Sequence, residues 1–242
     1  MPWTKPEHPA AVGFSCGFHP LISDPESHIR WHPLGVRRCH IIVPMLEQRI
    51  QQQFFDSADL KYAAAEVLSR PIADAVGALV DCITAGGKVL ACGNGGSAAD
   101  AQHFAAEFVG RFERGRPGLA AIALTTDTSL MTAIANDYDF NVIFAKQIQA
   151  LGQPGDVLLA ISTTGNSANV VAAIEAARAK EMIVIALTGH KGGKMRELLI
   201  ETDVSICVPH ERTARIQEVH LLVLHCLCDA VDLQLLGEPE NT

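Results

Sequence analysis

Two turns rich in glycine and hydroxyl residues have the residue types that bind a phosphate group. The first turn, residues 93–96, follows the apolar run 88–92, and the second turn, residues 162–167, follows the apolar run 156–162. Each turn precedes a predicted helix, so backbone N–H groups and a helix N-terminus would face an anion. Two such turns in one small domain indicate a single phosphorylated ligand held between them.

Other uses of these turns are less consistent with the sequence. Gly93, Gly95 and Ala98 match the dinucleotide-binding fingerprint, but no acidic residue ends the next predicted strand, and Asp127 lies too far along the chain. No lysine follows the glycines, which excludes a Walker loop. The hydroxyls of the second turn could instead cap the following helix, and this alternative stays open.

Acid–base groups are predicted on two helices. His103 and Glu107 are four residues apart after the first turn and share a helix face, as an ordinary ion pair would. On the last helix, Gln217 and His225 are two turns apart and could border one cavity, while His220 competes for the same role. Imidazole and carboxylate ligands suit a divalent metal of borderline softness, zinc first, with a carboxylate base beside it.

The elements that must position these groups alternate between strand and helix. Two helices come first, over residues 45–69 and 72–84, with Pro71 opening the second. Predicted strands follow at residues 88–92, 119–125, 156–162, 182–187 and 204–208, with helices at about 98–112, 129–136, 141–151, 166–179, 193–199 and 213–236. The strands are short continuous apolar runs, which predicts a parallel sheet covered on both faces. The predicted fold class is therefore α/β, a three-layer α/β/α sandwich with a five-stranded parallel sheet.

Composition excludes several classes of protein. The chain has 242 residues and a formal net charge of −8, which argues against direct nucleic-acid binding. We expect no membrane contact, because no apolar run approaches the length of a span, and no signal peptide. The seven cysteines are an odd number and indicate reduced thiols, so a cytoplasmic location is expected.

Residues 1–44 differ from the rest of the chain. They contain seven of the twelve prolines and five of the ten histidines, without apolar periodicity, and the histidine spacing fits no metal motif. We expect a poorly ordered extension or a mis-called start, because Met45 opens a helical sequence. Residues 45–242 would then form one domain, including the helical segment 45–85.

Five motifs within residues 45–236 identify a resemblance to a known family. They are CGNGGSAADAQHFAAEFVGRF, ALTTDTSLMTAIANDY, GDVLLAISTTGNSANVV, LTGHKGGKM and VPHERTARIQEVHLLVLH. Together they resemble the phosphoheptose isomerases of the sugar-isomerase (SIS) domain superfamily. The resemblance implies a flavodoxin-like sheet and a homotetramer with active sites between subunits. It also implies interconversion of sedoheptulose 7-phosphate and D-glycero-D-manno-heptose 7-phosphate for lipopolysaccharide heptose synthesis.

The resemblance assigns roles to individual residues. Glu107 would be the base that moves a proton between C1 and C2, and His225 would act at the oxygens. One zinc ion per subunit would be bound by His103, Glu107, Gln217 and His225. The implied substrate-binding residues are Asn94, Gly95, Gly96, Ser97, Glu107, Asn136, Asp137, Ser162, Thr163, Thr164, Ser167 and Gln217, with the phosphate on Ser162, Thr164 and Ser167. Such a site suits an enediolate, which needs a base, a proton shuttle and a nearby positive charge.

Two alternatives belong to other classes of function. Several stretches, including TARIQE and HCLCDAVDLQL, are as similar to a paralogous branch that binds the replication initiator DnaA and is no enzyme. That branch lacks the glutamate and final histidine, which this chain keeps as Glu107 and His225, so catalysis is favoured. Thr164 replaces the usual serine but retains a hydroxyl. A module that only senses sugar phosphates would keep the hydroxyl turn without needing the base.

Overall fold

The structure is a computed structural model that describes residues 30–31, 37–38 and 43–238. The chain divides into two units, Met1–Arg49 and Ile50–Thr242. In the first unit, strands β1 (Arg30–Trp31) and β2 (Arg37–Arg38) pair antiparallel, with Arg30 opposite Arg38. The rest of the extension predicted at residues 1–44 lies outside the described residues, apart from the start of helix α1.

The sheet of the second unit has five parallel strands in the order β4-β3-β5-β6-β7. Their bounds are β3 (Val89–Gly93), β4 (Ala121–Ala123), β5 (Val157–Ser162), β6 (Ile183–Thr188) and β7 (Val204–Cys207). From β3 the chain continues to β4 on one side and then crosses to β5 on the other, so the strand order reverses between β3 and β5. Such a switch point leaves a crevice at the carboxyl ends of the strands.

Helices cover both faces of the sheet, which confirms the predicted fold class. They are α1 (Val43–Thr84), α2 (Gly96–Val109), α3 (Thr128–Asp137), α4 (Ile143–Leu151), α5 (Ala168–Ala179), α6 (Gly193–Leu198) and α7 (Thr213–Leu236), with a 3₁₀ turn at Phe140–Val142. One apolar cluster contains buried side chains of α1, α2 and α7, and the other contains those of α3, α4, α5 and α6. Strands β3 and β5 are buried throughout because each contributes side chains to both clusters.

The prediction of two separate N-terminal helices is wrong. Helix α1 continues through Pro71, which lies inside it. Proline removes one backbone hydrogen bond from a helix, but packing can offset that loss. The same apolar face runs across the proline, because Leu60 and Leu68 before it and Ala75 and Leu79 after it are all buried in one cluster.

Helix α7 corrects a second expectation. Among the described residues, α7 is the one helix that is both long enough and apolar enough to cross a membrane, judged by length and composition. The statement that no apolar segment approaches that length is therefore wrong by this criterion. The apolar residues of α7 pack in the domain core, where Val223, Leu224 and Leu227 are buried, and the helix also buries the polar side chains of His220 and Asp232.

Candidate active site

A cavity of about 250 Å³ lies between the two predicted phosphate turns. The register of the sheet explains this position, because Gly93 at the end of β3 is paired with Ile161 in β5. The residues lining the cavity are Asn94, Ser97, Ile161, Ser162, Thr163, Thr164, Ser167, Thr213 and Gln217. Seven of these nine belong to the predicted substrate-binding set.

The two turns are tied to each other and to the loop that precedes α6. The side-chain amides of Asn94 and Asn169 exchange two hydrogen bonds of 2.8 Å, which join the first turn to α5. Gly165 has a φ of 66°, and a β-carbon there would lie 1.9 Å from the carbonyl oxygen of Gly192. A side chain at position 165 is therefore excluded both by the backbone conformation and by the neighbouring chain.

The hydroxyls of the second turn do not cap α5 in this structure. Ser167 precedes the helix, but its side chain makes no capping hydrogen bond, and its Oγ atom lies 2.9 Å from that of Ser162. Its carbonyl oxygen accepts from the N–H groups of Val170 and Val171. Both hydroxyls therefore face the cavity rather than serve the helix terminus.

None of the nine lining residues carries a charge, so attraction of an anion must come from the helices. Ser97 and Ser167 lie at the start of α2 and α5, and Thr213 is the first residue of α7. Partial positive charge at three helix N-termini favours a phosphate there. Thr213 was not among the predicted site residues. The signal that could have found it is its position at the predicted start of the last helix, one turn before Gln217.

A second group of polar side chains joins α2 to α7. The Nε2 atoms of His103 and His225 are 3.1 Å apart, and His103 Nε2 is 3.3 Å from Glu107 Oε1. The ring of Phe112 also packs against that of His225, with centroids 5.5 Å apart. At a nitrogen–nitrogen contact of this length, one ring donates and the other accepts. His103, Glu107 and His225 (the acid–base cluster) can therefore hold and transfer a proton.

Gln217 does not belong to the acid–base cluster within this chain. It lies over Gly96, where a β-carbon would be 2.3 Å from Gln217 Nε2. Eight residues separate Gln217 from His225, which is about 12 Å along a helix. Since Gly96 meets Gln217 and His103 meets His225, α2 and α7 run side by side in the same direction. The phosphate cavity lies at their N-terminal ends, and the acid–base cluster lies farther along.

The donor types of the acid–base cluster are those of a catalytic zinc site with two histidines and a glutamate. Among residues 43–238, however, no three His, Cys, Asp or Glu side chains are arranged so that they could hold a metal ion as they stand. The cluster therefore fits zinc by its chemistry, and at least one of its side chains would have to turn to complete a ligand set. Gln217, the fourth predicted ligand, lies at the cavity instead.

Two other titratable groups lie near these elements. His220 is fully buried, and its Nε2 atom is 2.9 Å from the carbonyl oxygen of Thr188. Burial lowers its pKa to about 4, against a smaller opposite effect of that hydrogen bond, so His220 is a neutral core residue and does not compete with Gln217 or His225. Burial raises the pKa of Asp100 to about 6, and His103 acts in the opposite direction. Asp100 was missed by the sequence analysis.

Asn136 and Asp137 are not brought to the cavity. They lie at the exposed end of α3, where Asn136 Nδ2 donates to Asp137 Oδ1 at 2.8 Å. Gly95 belongs to the first turn with a φ of 56°, although it is not one of the nine lining residues. Within one chain the structure therefore assembles the phosphate end of the predicted site and leaves part of the predicted sugar-binding set in solvent.

Known proteins resemble this chain over most of its length. Residues 53–189 match the SIS domain family. A phosphoheptose isomerase of Methylibium petroleiphilum is 78% identical over 198 residues, which is 82% of this chain and 99% of the relative. The chain belongs to the phosphoheptose isomerase family. The resemblance inferred from the sequence is thereby confirmed.

Solved structures of this family share the fold described above. The phosphoheptose isomerase GmhA from Neisseria gonorrhoeae is 53% identical, with a TM-score of 0.74 over 77% of this chain and 98% of its own. A phosphoheptose isomerase from Francisella tularensis is 46% identical, with a TM-score of 0.75 over 76% of this chain and 97% of its own. The family match covers nearly the whole length of these isomerases.

Proposed function

We propose that this protein is an aldose–ketose isomerase that converts sedoheptulose 7-phosphate to D-glycero-D-manno-heptose 7-phosphate in the cytoplasm, for lipopolysaccharide heptose synthesis. The observation that carries the proposal is that the phosphate cavity and the acid–base cluster lie one after the other along α2 and α7. An uncharged cavity lined by hydroxyls and helix N-termini lies at one end, and His103, Glu107 and His225 lie farther along. A heptose 7-phosphate also has its phosphate and its C1–C2 unit at opposite ends.

The reaction needs a base beside C1 and C2 and a group that serves the two oxygens. Glu107 removes a proton from C1 of the ketose, and the electron pair forms the C1–C2 double bond of an enediolate. The O2 oxygen takes a proton from His225, which then accepts the proton of O1. Glu107 returns its proton to C2, and the aldose is complete. General acid–base steps of this kind typically contribute about 10²–10⁴-fold to a rate.

The phosphate supplies the binding energy that holds the sugar in register. The hydroxyls of Ser162, Thr164 and Ser167 would donate to it, and the N-termini of α2, α5 and α7 would offset its charge. Gln217, which lies over Gly96 in the wall of the cavity, would contact the sugar next to the phosphate.

We further propose one zinc ion per subunit on His103, Glu107 and His225. Gln217, the fourth predicted ligand, lies at the phosphate cavity in this chain and would have to reorient to join them. Zinc, when bound, would supply positive charge near the enediolate oxygens. The donor types support it, whereas the present arrangement of the side chains does not form a ready ligand set.

We also infer a homotetramer in which neighbouring subunits complete the active site. The described part of α1 exposes large apolar side chains, among them Phe54 at 73% and Tyr62 at 78%. An apolar groove of about 130 Å³ between α1 and α7 adds to this surface, with Leu68 and Val223 in its wall. Exposed apolar patches of this kind are typical of interfaces. A neighbouring copy would also explain why Asn136 and Asp137 face solvent in one chain.

The test is conversion of sedoheptulose 7-phosphate by purified protein, with and without added zinc, beside Glu107→Gln and the control Glu175→Gln on the exposed face of α5. We expect turnover in the native protein and the control, and a loss of about 10³-fold or more in Glu107→Gln. No turnover by a folded, zinc-loaded tetramer would contradict the proposal. Binding of DnaA would then be measured to test a regulatory role, and binding of sugar phosphates without turnover would indicate a sensing module.

A further inference from the structure

A buried arginine in the loop after α2 holds the backbone of the residue proposed as the base. The side chains of Arg116 and Asp232 are each only 2% exposed, and Arg116 Nε donates to Asp232 Oδ1 at 2.5 Å. The remaining guanidinium nitrogens turn toward α2, where Nη2 donates to the carbonyl oxygen of Glu107 at 2.9 Å and Nη1 to that of Phe108 at 2.8 Å.

These contacts compensate for the end of the helix. The last carbonyl groups of an α-helix have no partner within it, and α2 ends at Val109. Arg116 donates to two of them at once, and the Phe108 carbonyl also accepts from the backbone N–H of Leu119. A planar guanidinium can donate in this way, and a lysine ammonium cannot match its geometry. One of the two carbonyls is that of Glu107 itself, so the guanidinium fixes the backbone from which the carboxylate extends.

The other end of the pair lies on the helix that carries His225. Asp232 is seven residues after His225 on α7, which is about two turns, so both side chains lie on the same side of that helix. The buried Cys228 lies close enough to Glu107, Asp232 and Arg116 for their charges to affect its thiol. Burial, together with the nearby carboxylates of Glu107 and Asp232, raises the pKa of its thiol to about 12, and Arg116 acts in the opposite direction.

We propose that Arg116 and Asp232 are positioning residues that set the distance between the Glu107 carboxylate on α2 and the His225 ring on α7. The inference rests on the proposed isomerase function. Stability alone is a weak reason for this pair, because buried ion pairs can often be replaced by apolar residues of similar volume without loss of stability. A misplacement of about 1 Å between reacting groups can cost about 100-fold in rate.

The deciding variant removes both charges together. A single change, such as Arg116→Met, leaves Asp232 buried without its partner and is expected to impair folding. The double variant Arg116→Met/Asp232→Leu keeps the volume and leaves no isolated charge. We expect a folded protein with kcat reduced about 100-fold and KM changed less than about threefold, since the phosphate cavity lies at the other end of the two helices. Arg116→Lys keeps the charge beside Asp232, so we expect it to fold better than Arg116→Met. Its kcat should stay below the native value, because lysine cannot donate to both carbonyls in the same geometry.

A second ion pair, in which Asp156 is buried and Lys88 is partly exposed, provides the control. Lys88 Nζ lies 2.6 Å from Asp156 Oδ2, at the start of β3 and β5 and far from the acid–base cluster. The variant Lys88→Met/Asp156→Asn is expected to lower the melting temperature and leave kcat unchanged. Native kcat in Arg116→Met/Asp232→Leu would overturn the inference, whatever happens to its stability.

Hydrogen exchange separates this inference from the function on which it rests. Amides in the last turn of α2 should exchange faster in Arg116→Met/Asp232→Leu than in the native protein, with α5 unchanged as an internal reference. This measurement needs no turnover. Unchanged exchange at the end of α2 would overturn the inference, whereas absence of turnover in the native protein would overturn the proposed function.

Discussion

The side-chain amide of Gln217 lies directly over Gly96, so closely that a β-carbon at position 96 would be 2.3 Å from Nε2. This contact joins the first turn of α2 to α7 at the edge of the phosphate cavity. The neighbouring atom is the end of a flexible side chain, so a methyl group there would displace Gln217 rather than break the fold.

Gly96→Ala is therefore expected to raise KM about 10-fold, equivalent to the loss of about one good hydrogen bond, with little change in melting temperature. Steady-state kinetics and thermal unfolding measure the two effects. The control is Gly77→Ala on α1, where nothing lies within 4 Å of an added β-carbon. It should keep native kinetics and gain about 0.5–1 kcal/mol of stability. An unchanged KM in Gly96→Ala would show that Gln217 does not contact the substrate.

Thr213, the first residue of α7, is predicted to contact the substrate phosphate. Thr213→Val keeps the shape of the side chain and removes its hydroxyl, and we expect KM to rise about 5- to 10-fold with kcat nearly unchanged. The exposed Thr202, before β7 at the opposite end of the sheet, provides the control Thr202→Val. Equal KM values in the two variants would show that the Thr213 hydroxyl does not contact the substrate.

His103 is predicted to be a zinc ligand. Metal analysis of the native protein after dialysis against zinc should give about one ion per subunit. His103→Asn should lose most of this zinc, because a zinc site has only three or four protein ligands and the variant lacks one of them. His210→Asn is the control, since an asparagine oxygen can still accept the hydrogen bond that His210 Nδ1 accepts from Arg212. Equal zinc contents in His103→Asn and the native protein would exclude His103 as a ligand.

His220 is predicted to make the stability of the fold depend on pH. Its pKa is about 4 in the folded protein and about 6.5 when unfolded, because burial disfavours the charged ring. The unfolded chain therefore binds the extra proton first. The contribution is fully present above about pH 6.5 and is lost as the pH falls toward 4, by about 3 kcal/mol in all.

His220→Gln keeps a donor for the Thr188 carbonyl but does not titrate. Urea unfolding at pH 7 and pH 4.5 should therefore show a smaller loss of stability in His220→Gln than in the native protein. His210→Gln, at a partly exposed position, should retain the native pH dependence. A native pH dependence in His220→Gln would refute this assignment.

The sequence by itself was sufficient to predict the order of the strands, the helices that follow them and the two glycine- and hydroxyl-rich turns. Runs such as residues 156–162 followed by STTGNS carry this information locally, because backbone conformation depends mainly on neighbours in sequence. The same local rule failed at Pro71. A proline interrupts a helix in isolation, and only the apolar face of α1, packed against the core on both sides of it, keeps the helix continuous.

Contacts between helices were beyond the reach of sequence patterns. Periodicity placed His103 and Glu107 on one face of α2, but it could not say that His225 would meet them while Gln217 met Gly96. Arg116, in a loop with no recognisable motif, gave no local signal at all. These choices depend on how α2 and α7 pack against the same sheet. Side chains more than a hundred residues apart meet only after the chain has folded, and their partners are therefore decided by the tertiary structure.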